Sequence, residues 1–376
     1  MTPIAWFICW SSAALLLHVF VGYPVLVWLQ ARVRPRPVAR RAILPTVSIV
    51  IAVHDGERFV RAKLANLRQL DYPTELIDIV LVCDGCHDAT VTIARRSTDP
   101  RLTVLDHPNR RGKAACLNDA VALTRGEVLL FTDVRQRLSP MAVKELVANL
   151  GDPEVGAVTG ELHMENVRSG FAQGVDFYWR YEKGIRHAES LSGSTIGVTG
   201  ALYAMRRSLF RPLPPGTVLD DVLVPMRVAA LGKRVVFEPK AMAWDQPSQQ
   251  PAEERRRKIR TLAGNYQLIQ MAPWLLVPWS NPLWFRFVSH KLLRLLAPWL
   301  IVALTISSGL LVTRHAMYAT AFGALVTGML MVGLALLPSR LGRLPPLRIA
   351  LAFFYLNLFA AQALVAFARN RRLHLW

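Results

Sequence analysis

The feature that most constrains this chain is an apolar run at residues 4–29 that contains no Asp, Glu, Lys or Arg. At about 1.5 Å per residue, a helix of this length crosses a hydrocarbon core of roughly 30 Å. A secretory signal would carry basic residues ahead of a shorter apolar core, and this run has neither property. The sequence therefore predicts a transmembrane helix over residues 1–30, followed by a basic juxtamembrane linker over residues 31–45.

Three further apolar runs lie near the other end, at about residues 293–313, 316–337 and 349–368. The chain is 52% apolar with a mean hydropathy of +0.28, which is high for a fully soluble protein. We expect about three membrane helices within residues 292–376, although buried core helices would show a similar pattern. Residues 251–291 mix Trp, Phe, Lys and Arg, which predicts basic and interfacial helices at the bilayer surface.

The formal net charge of +19 would suit a nucleic-acid-binding protein, but the positions of the arginines argue against that class. Arginines cluster directly after the first apolar run and again after the last one, where they contact anionic lipid and orient a membrane protein. The positive-inside rule then places residues 31–290 in the cytoplasm. One plus three spans would put Arg369, Arg371 and Arg372 outside, so either one span is re-entrant or the rule is broken there.

Residues 46–250 show a different pattern, in which short β-branched runs alternate with amphipathic segments. This alternation predicts a mainly parallel sheet covered by helices, with a ligand at the carboxyl ends of its strands. The residues that follow three of the apolar runs are His54 to Glu57, Asp84 to Asp88, and Asp133. Three strand ends carrying carboxylates suggest oxygen ligation of Mg²⁺ or Mn²⁺, although a single Asp in this position is often only a helix cap.

The cysteines allow a different function. Cys83 and Cys86 form a CxxC beside His87, and His54 follows the neighbouring strand, so zinc binding or thiol redox chemistry is an alternative. A structural zinc site usually needs four such ligands, and no second CxxC or HxxxH lies nearby. The CxxC also sits in a glycine-containing turn, whereas a thioredoxin-type pair opens a helix.

Six segments in order carry a resemblance to a known family. They are VSIVIAVHDGE, YPTELIDIVLVCDGCHDATVTIA, NRRGKAACLNDAV, GEVLLFTDVRQRLSP, TGALYAMRRSLF and VLDDVLVPMRVAALGKRVVFEP. Over about residues 46–265 the chain resembles the family 2 glycosyltransferases, especially the membrane-embedded branch with cellulose, hyaluronan and chitin-type synthases and bacterial exopolysaccharide transferases. The resemblance implies a GT-A fold and inverting transfer from a UDP-sugar to a glycan or lipid-linked acceptor, at a bacterial inner membrane.

The resemblance also assigns roles to residues. Asp221 would be the general base that deprotonates the acceptor hydroxyl. Asp133 would meet the cation and the diphosphate. The donor or its nucleotide would be bound by Ala52, His54, Glu57, Asp84, Asp88, Lys113, Asn118, Asp133 and Arg135. The diphosphate or the acceptor would lie against Gly200, Asp220, Arg257 and Arg260.

The chain departs from the family pattern at two positions. Arg135 replaces the second carboxylate of the family's DxD, so an arginine paired with phosphate would take over part of the work of Mg²⁺ or Mn²⁺. Thr261 stands where processive synthases carry the Trp of QxxRW, which weakens the expectation of a long polymer. Two further alternatives are a transferase acting on polyprenyl phosphate and a non-enzymatic membrane scaffold on a transferase fold. The sequence does not fix the donor sugar or the oligomeric state.

Overall fold

The computed structural model describes residues 2–165, 170–246, 251–337, 342, 344–369 and 375. Arg371 and Arg372 of the predicted C-terminal cluster lie outside this part of the chain. The strands are β1 (Val47–Val53), β2 (Ile77–Asp84), β3 (Leu102–His107), β4 (Val128–Phe131), β5 (Arg137–Leu138), β6 (Val155–Met164), β7 (Tyr203–Arg206) and β8 (Arg234–Asp245). The helices are α1 (Thr2–Leu17), α2 (Tyr23–Val33), α3 (Glu57–Arg68), α4 (Thr90–Arg95), α5 (Lys113–Leu123), α6 (Ala142–Leu150), α7 (Gly170–Leu191), α8 (Asp220–Ala230), α9 (Pro251–Met271), α10 (Trp284–Phe287), α11 (Leu293–Leu310), α12 (Ala316–Ala335) and α13 (Pro345–Arg369).

One eight-stranded sheet has the order β3-β2-β1-β4-β7-β6-β8-β5. The first half is parallel, because β2 and β4 flank β1 in parallel and β3 pairs in parallel with β2. The chain then places β7 antiparallel between β4 and β6, and β8 returns parallel to β6. The expected mixed, mainly parallel sheet is therefore confirmed.

The two faces of the sheet are buried by different helices. Along β1, Ile49 and Ile51 join one apolar cluster with residues of α3 and α6, while Val50 and Ala52 join another with residues of α5 and α8. Successive side chains of a strand point to opposite faces, so a strand buried on both faces reads as an unbroken apolar run. This is why the sheet was visible in the sequence.

Four helical segments are long and apolar enough to cross a membrane, and they are Pro3–Val33, Trp284–Leu310, Ala316–Ala335 and Pro345–Arg369. The second begins at Trp284, earlier than the residue 292 expected from the sequence, because α10 continues into α11. Two π-helical turns interrupt these segments, at His18–Gly22 between α1 and α2 and at Val288–Leu292 between α10 and α11. Such turns often mark functional sites in helices.

Candidate active site

Carboxylates meet a lysine at the carboxyl ends of the parallel strands. Asp133 follows β4 by two residues, and Asp220 and Asp221 open α8. Lys113 begins α5, and its Nζ lies 2.9 Å from Asp133 Oδ1 and 3.6 Å from Asp220 Oδ2. Burial alone would lower the pKa of Lys113, but the three carboxylates outweigh it and raise that pKa. We call Asp133, Asp220 and Asp221 the carboxylate cluster.

The two adjacent aspartates differ in exposure. Asp220 is 4% exposed, and within the described residues its Oδ2 makes no hydrogen bond. Burial raises its pKa, with a further contribution from Asp133 and against the opposing effect of Lys113. Asp221 is half-buried, and burial followed by the charge of Asp220 raises its pKa to about 6. A carboxyl group with this pKa is ionised at neutral pH and is still basic enough to accept a proton in a reaction.

Arg260 of α9 provides positive charge beside the carboxylate cluster. Its Nε is buried without a hydrogen-bond partner in the described part of the chain, and burial lowers its pKa against the charges of all three aspartates. Gly200 lies beside Lys113, since a Cβ built on it would stand 3.4 Å from Nζ. Arg257 instead forms an ion pair with Glu254 at 2.8 Å on the same helix. Of the predicted diphosphate or acceptor residues, Asp220, Gly200 and Arg260 therefore come together at Lys113.

Asp84 holds the loop that carries Lys113. Its carboxylate accepts hydrogen bonds from the backbone N–H groups of Arg111 at 2.6 Å and Gly112 at 2.8 Å, and the thiol of Cys116 also bonds to it. Asp84 is fully buried. Its contact with a nucleotide stays a prediction, and its visible role is to fix the start of α5.

The turns after β1 and β2 are joined by reciprocal hydrogen bonds. The Asp88 carboxylate accepts from the backbone N–H of Glu57 at 2.9 Å, and the Glu57 carboxylate accepts from the backbone N–H of Ala89 at 3.1 Å. The Asp88 side chain thus caps the start of α3, and the Glu57 side chain caps the start of α4. Nδ1 of His54 lies 2.8 Å from the carbonyl oxygen of Asp84, which ties the two turns together a second time. Donor binding by these residues remains a prediction.

Two of the predicted donor residues make tertiary contacts in the structure, and their donor binding remains a prediction. The Asn118 side chain donates to the carbonyl of Leu213 at 2.9 Å and accepts from its N–H at 2.8 Å, so it supports a loop. The Arg135 guanidinium forms an ion pair with the 4%-exposed Asp245 at 2.6 Å. Arg135 therefore neutralises a buried carboxylate. Both side chains are used by tertiary contacts that sequence motifs do not reveal.

The cysteines do not gather with both histidines. Cys83 is fully buried in β2, whereas Cys86 is half-buried. Cys86, His54 and Asp55 form a group in which one possible ligand atom of each residue lies within 4.8 Å of those of the other two. His87 and Cys83 are not members of that group. Three ligand atoms fall short of the four of a structural zinc site. The hydrogen bond with Cys86, followed by burial, raises the pKa of the Cys83 thiol, which disfavours its thiolate.

Sequence reasoning missed three lysine and arginine side chains. Lys63, which is 2% exposed, donates to Thr132 Oγ1 and to the carbonyl of Gln136, both at 2.8 Å, and so holds the loop of Asp133. The charges of Lys291 and Arg186 lower the pKa of Asp221. A lysine inside an apolar span is a signal that could have drawn attention to Lys291.

The carboxylate cluster suits a divalent cation by its donor chemistry. Mg²⁺ and Mn²⁺ prefer oxygen ligands, and proteins often hold them by one or two carboxylates together with substrate phosphates. Asp133 and the orphaned Oδ2 of Asp220 would provide those ligands. Arg135 would not, because it is a cation paired with Asp245.

Comparison with known proteins gives consistent matches. Residues 48–213 match the family model for glycosyl transferase family 2. The chain is 27% identical over 241 residues to the probable glycosyltransferase YdaM of Bacillus subtilis, covering 60% of this chain and 56% of that protein. It is 29% identical over 187 residues to an N-acetylglucosaminyltransferase of Rhizobium meliloti, and this match covers 48% of this chain and 43% of that protein. It is 22% identical over 233 residues to poly-beta-1,6-N-acetyl-D-glucosamine synthase of Staphylococcus aureus, and this match covers 60% of this chain and 56% of that protein. The matched region spans about half the length of these relatives.

A solved structure is similar over nearly the whole chain. The mannosyltransferase PcManGT from Pyrobaculum calidifontis, in complex with GDP-Man and Mn²⁺, superposes with a TM-score of 0.72 at 23% identity. The match covers 96% of this chain and 98% of that one. At this identity the likeness shows a shared fold, including the helices that flank the sheet.

Proposed function

We propose that this chain, whose residues 48–213 match the family model for glycosyl transferase family 2 and which has a GT-A fold, is a membrane-bound inverting hexosyltransferase. It would use a UDP-sugar and extend a glycan or a lipid-linked acceptor in envelope or exopolysaccharide synthesis. The relatives named as a polysaccharide synthase and an N-acetylglucosaminyltransferase support this class of product. The four candidate spans support a membrane location, with the catalytic domain proposed to face the cytoplasm.

The observation that carries the proposal is the environment of Asp221. Inversion at the anomeric carbon requires one in-line attack, and therefore one base on the acceptor side and positive charge on the leaving-group side. Asp221, with its pKa raised to about 6, is suited to be that base. Lys113 and Arg260 provide two cations beside the same carboxylate cluster.

The proposed step balances as a single displacement. The acceptor hydroxyl oxygen attacks the anomeric carbon while its proton passes to the Asp221 carboxylate. The bond between that carbon and the diphosphate oxygen breaks, and the electron pair leaves with the nucleoside diphosphate. Lys113 and Arg260 stabilise the negative charge that grows on this leaving group. A cation held by Asp133 and Asp220 would supply further charge neutralisation when bound.

Full-length protein in nanodiscs, incubated with a panel of UDP-sugars with and without Mn²⁺, tests the proposal. We expect release of nucleoside diphosphate with at least one donor, and a loss of about 10²- to 10⁴-fold in kcat for Asp221→Asn. The matched control is Asp106→Asn, which removes a carboxylate that pairs with Arg95 at the surface. No turnover with any donor, together with unchanged cellular function of Asp221→Asn, would favour the scaffold alternative.

The thiol alternative has its own test. We expect the double variant Cys83→Ala and Cys86→Ala to keep transfer within about two-fold, because a buried Cys behaves as a small apolar side chain. Loss of transfer in a double variant that stays folded by circular dichroism would restore a zinc or redox role for these residues.

A further inference from the structure

Two cations whose charges act on Asp221 have no hydrogen-bond or ion-pair partner among the described residues. Arg186 and Lys291 are both half-buried, and neither side chain makes a hydrogen bond or an ion pair with any residue in the described part of the chain. The charges of Arg186 and Lys291 act on each other and on Asp221, and the charge of Glu189 also acts on Lys291. Two like charges held close together with reduced solvation are unfavourable unless an anion joins them.

The helices fix these two side chains on the same side of the fold. On α7, Arg186 lies four residues after Glu182 and three before Glu189, so the three share one helix face. That face contacts the π-helical turn at Val288–Leu292, where His290 bonds to Glu189 at 2.7 Å and to Glu182 at 3.0 Å. Lys291 is the next residue of the turn.

The neighbouring carboxylates bind other groups, with Oε2 of Glu189 left without a hydrogen-bond partner among the described residues. Glu189 is fully buried and accepts hydrogen bonds from Tyr23 at 2.5 Å and from His290. Glu182 binds His290 and the guanidinium of Arg294. Among the described residues Arg186 and Lys291 therefore make no hydrogen bond or ion pair, although the charge of Glu189, whose Oε2 is buried without a hydrogen-bond partner there, acts on Lys291.

The position of Lys291 corresponds to the lipid headgroup layer. The segment Trp284–Leu310 has 27 residues, or about 40 Å at about 1.5 Å per residue, and a hydrocarbon core needs only roughly 30 Å. The first turns of the segment thus extend beyond the core. Trp279, 89% exposed, and Phe285, 43% exposed, are aromatic side chains of the kind found at that level.

Resting on the proposed function, we propose that Arg186 and Lys291 bind the phosphate of a polyprenyl-linked acceptor and so place its reacting group at Asp221. An arginine and a lysine offer charge-assisted hydrogen bonds to phosphate oxygens, the first in a planar fork and the second as a point charge. The lipid chain would remain in the bilayer beside the span that carries Lys291. The acceptor is then anchored at the membrane, whereas the donor enters beside Lys113.

Binding to the full-length protein in phosphatidylcholine nanodiscs, with farnesyl phosphate as the probe, tests the site without relying on transfer. We expect saturable binding to the wild type and a loss of about ten- to a hundred-fold in affinity for Arg186→Gln or Lys291→Gln. Farnesol should bind all proteins equally weakly. The matched control is Lys183→Gln, which removes a cation from another face of α7, where it pairs with Glu161 at 2.5 Å.

Each outcome decides between sources of the anion. Full competition by inorganic phosphate at the concentration of the farnesyl phosphate would overturn the lipid-linked assignment, since a free phosphate would then fill the site. Tighter binding of oligoglucuronate than of farnesyl phosphate would assign the site to an anionic glycan. Equal affinity for farnesyl phosphate in wild type, Arg186→Gln and Lys291→Gln would refute the site. Retained binding in a protein that transfers no sugar would refute the proposed function alone.

Discussion

The raised pKa of Asp221 predicts the acid side of the pH profile. An acid with pKa about 6 is about nine-tenths ionised at pH 7 and about one-tenth ionised at pH 5. Because only the carboxylate accepts the proton, kcat/KM should fall about ten-fold between these pH values. The profile should be measured by nucleoside diphosphate release from nanodisc-bound protein, with a thermal melt at each pH to confirm folding.

The Asp220→Asn variant tests the cause of that pKa. The rise at Asp221 from 3.8 to about 6 is roughly two pH units, with burial as the larger cause and the charge of Asp220 as the second. Removing the charge should lower the pKa of Asp221, so the acid midpoint moves to lower pH even though kcat itself drops. Asp106→Asn should leave the midpoint in place. A midpoint that stays at about 6 or rises in Asp220→Asn, or a wild-type profile that is flat from pH 7 to 5, would refute this reasoning.

Two predictions concern stability. Arg135→Gln leaves the buried Asp245 without its ion pair and should lower the free energy of unfolding by about 1–3 kcal/mol, which is measured as a lower Tm. Arg135→Lys should lower the Tm less. An unchanged Tm in both variants would contradict a structural role for Arg135. Gly85 has φ +61°, and Gly85→Ala places a Cβ 2.7 Å from a backbone nitrogen of the loop before α5, so both the Tm and sugar transfer should fall. Gly232 has φ +77° but open space around it, so Gly232→Ala should lower the Tm only through backbone strain.

The first half of the sheet could be predicted because its signals are local. The runs that became β1, β2 and β4 are buried on both faces, so their composition alone identified them. The second half depends on distant pairing. β7 has four residues and lies between β4 and β6, and its partners are chosen by the tertiary fold. No local pattern in the sequence specifies that insertion.

The candidate site was predictable in its acidic residues but not in their partners. The end of an apolar run located Asp133 in the sequence, and the family resemblance pointed to Asp221. The ion pair of Arg135 with Asp245 joins residues 110 positions apart, and the contact of Asn118 with Leu213 joins residues 95 apart. Side chains that serve such long-range contacts look the same in a sequence as side chains that bind a ligand.

Hydrogen bonds connect the second candidate span to the segment that contacts Asp221. Arg286, near the start of the second span, donates to the carbonyls of Glu189 at 2.6 Å and Ser194 at 2.7 Å. A few residues further on, the N–H of Val198 donates to the carbonyl of Asp221 at 2.9 Å. The span is thus linked to Asp221 by hydrogen bonds at the two ends of the segment 194–198. If Trp284–Leu310 crosses the bilayer, Asp221 lies at a set depth relative to it, and an acceptor anchored in lipid would meet the proposed base there; this is the geometric reason for expecting such an acceptor.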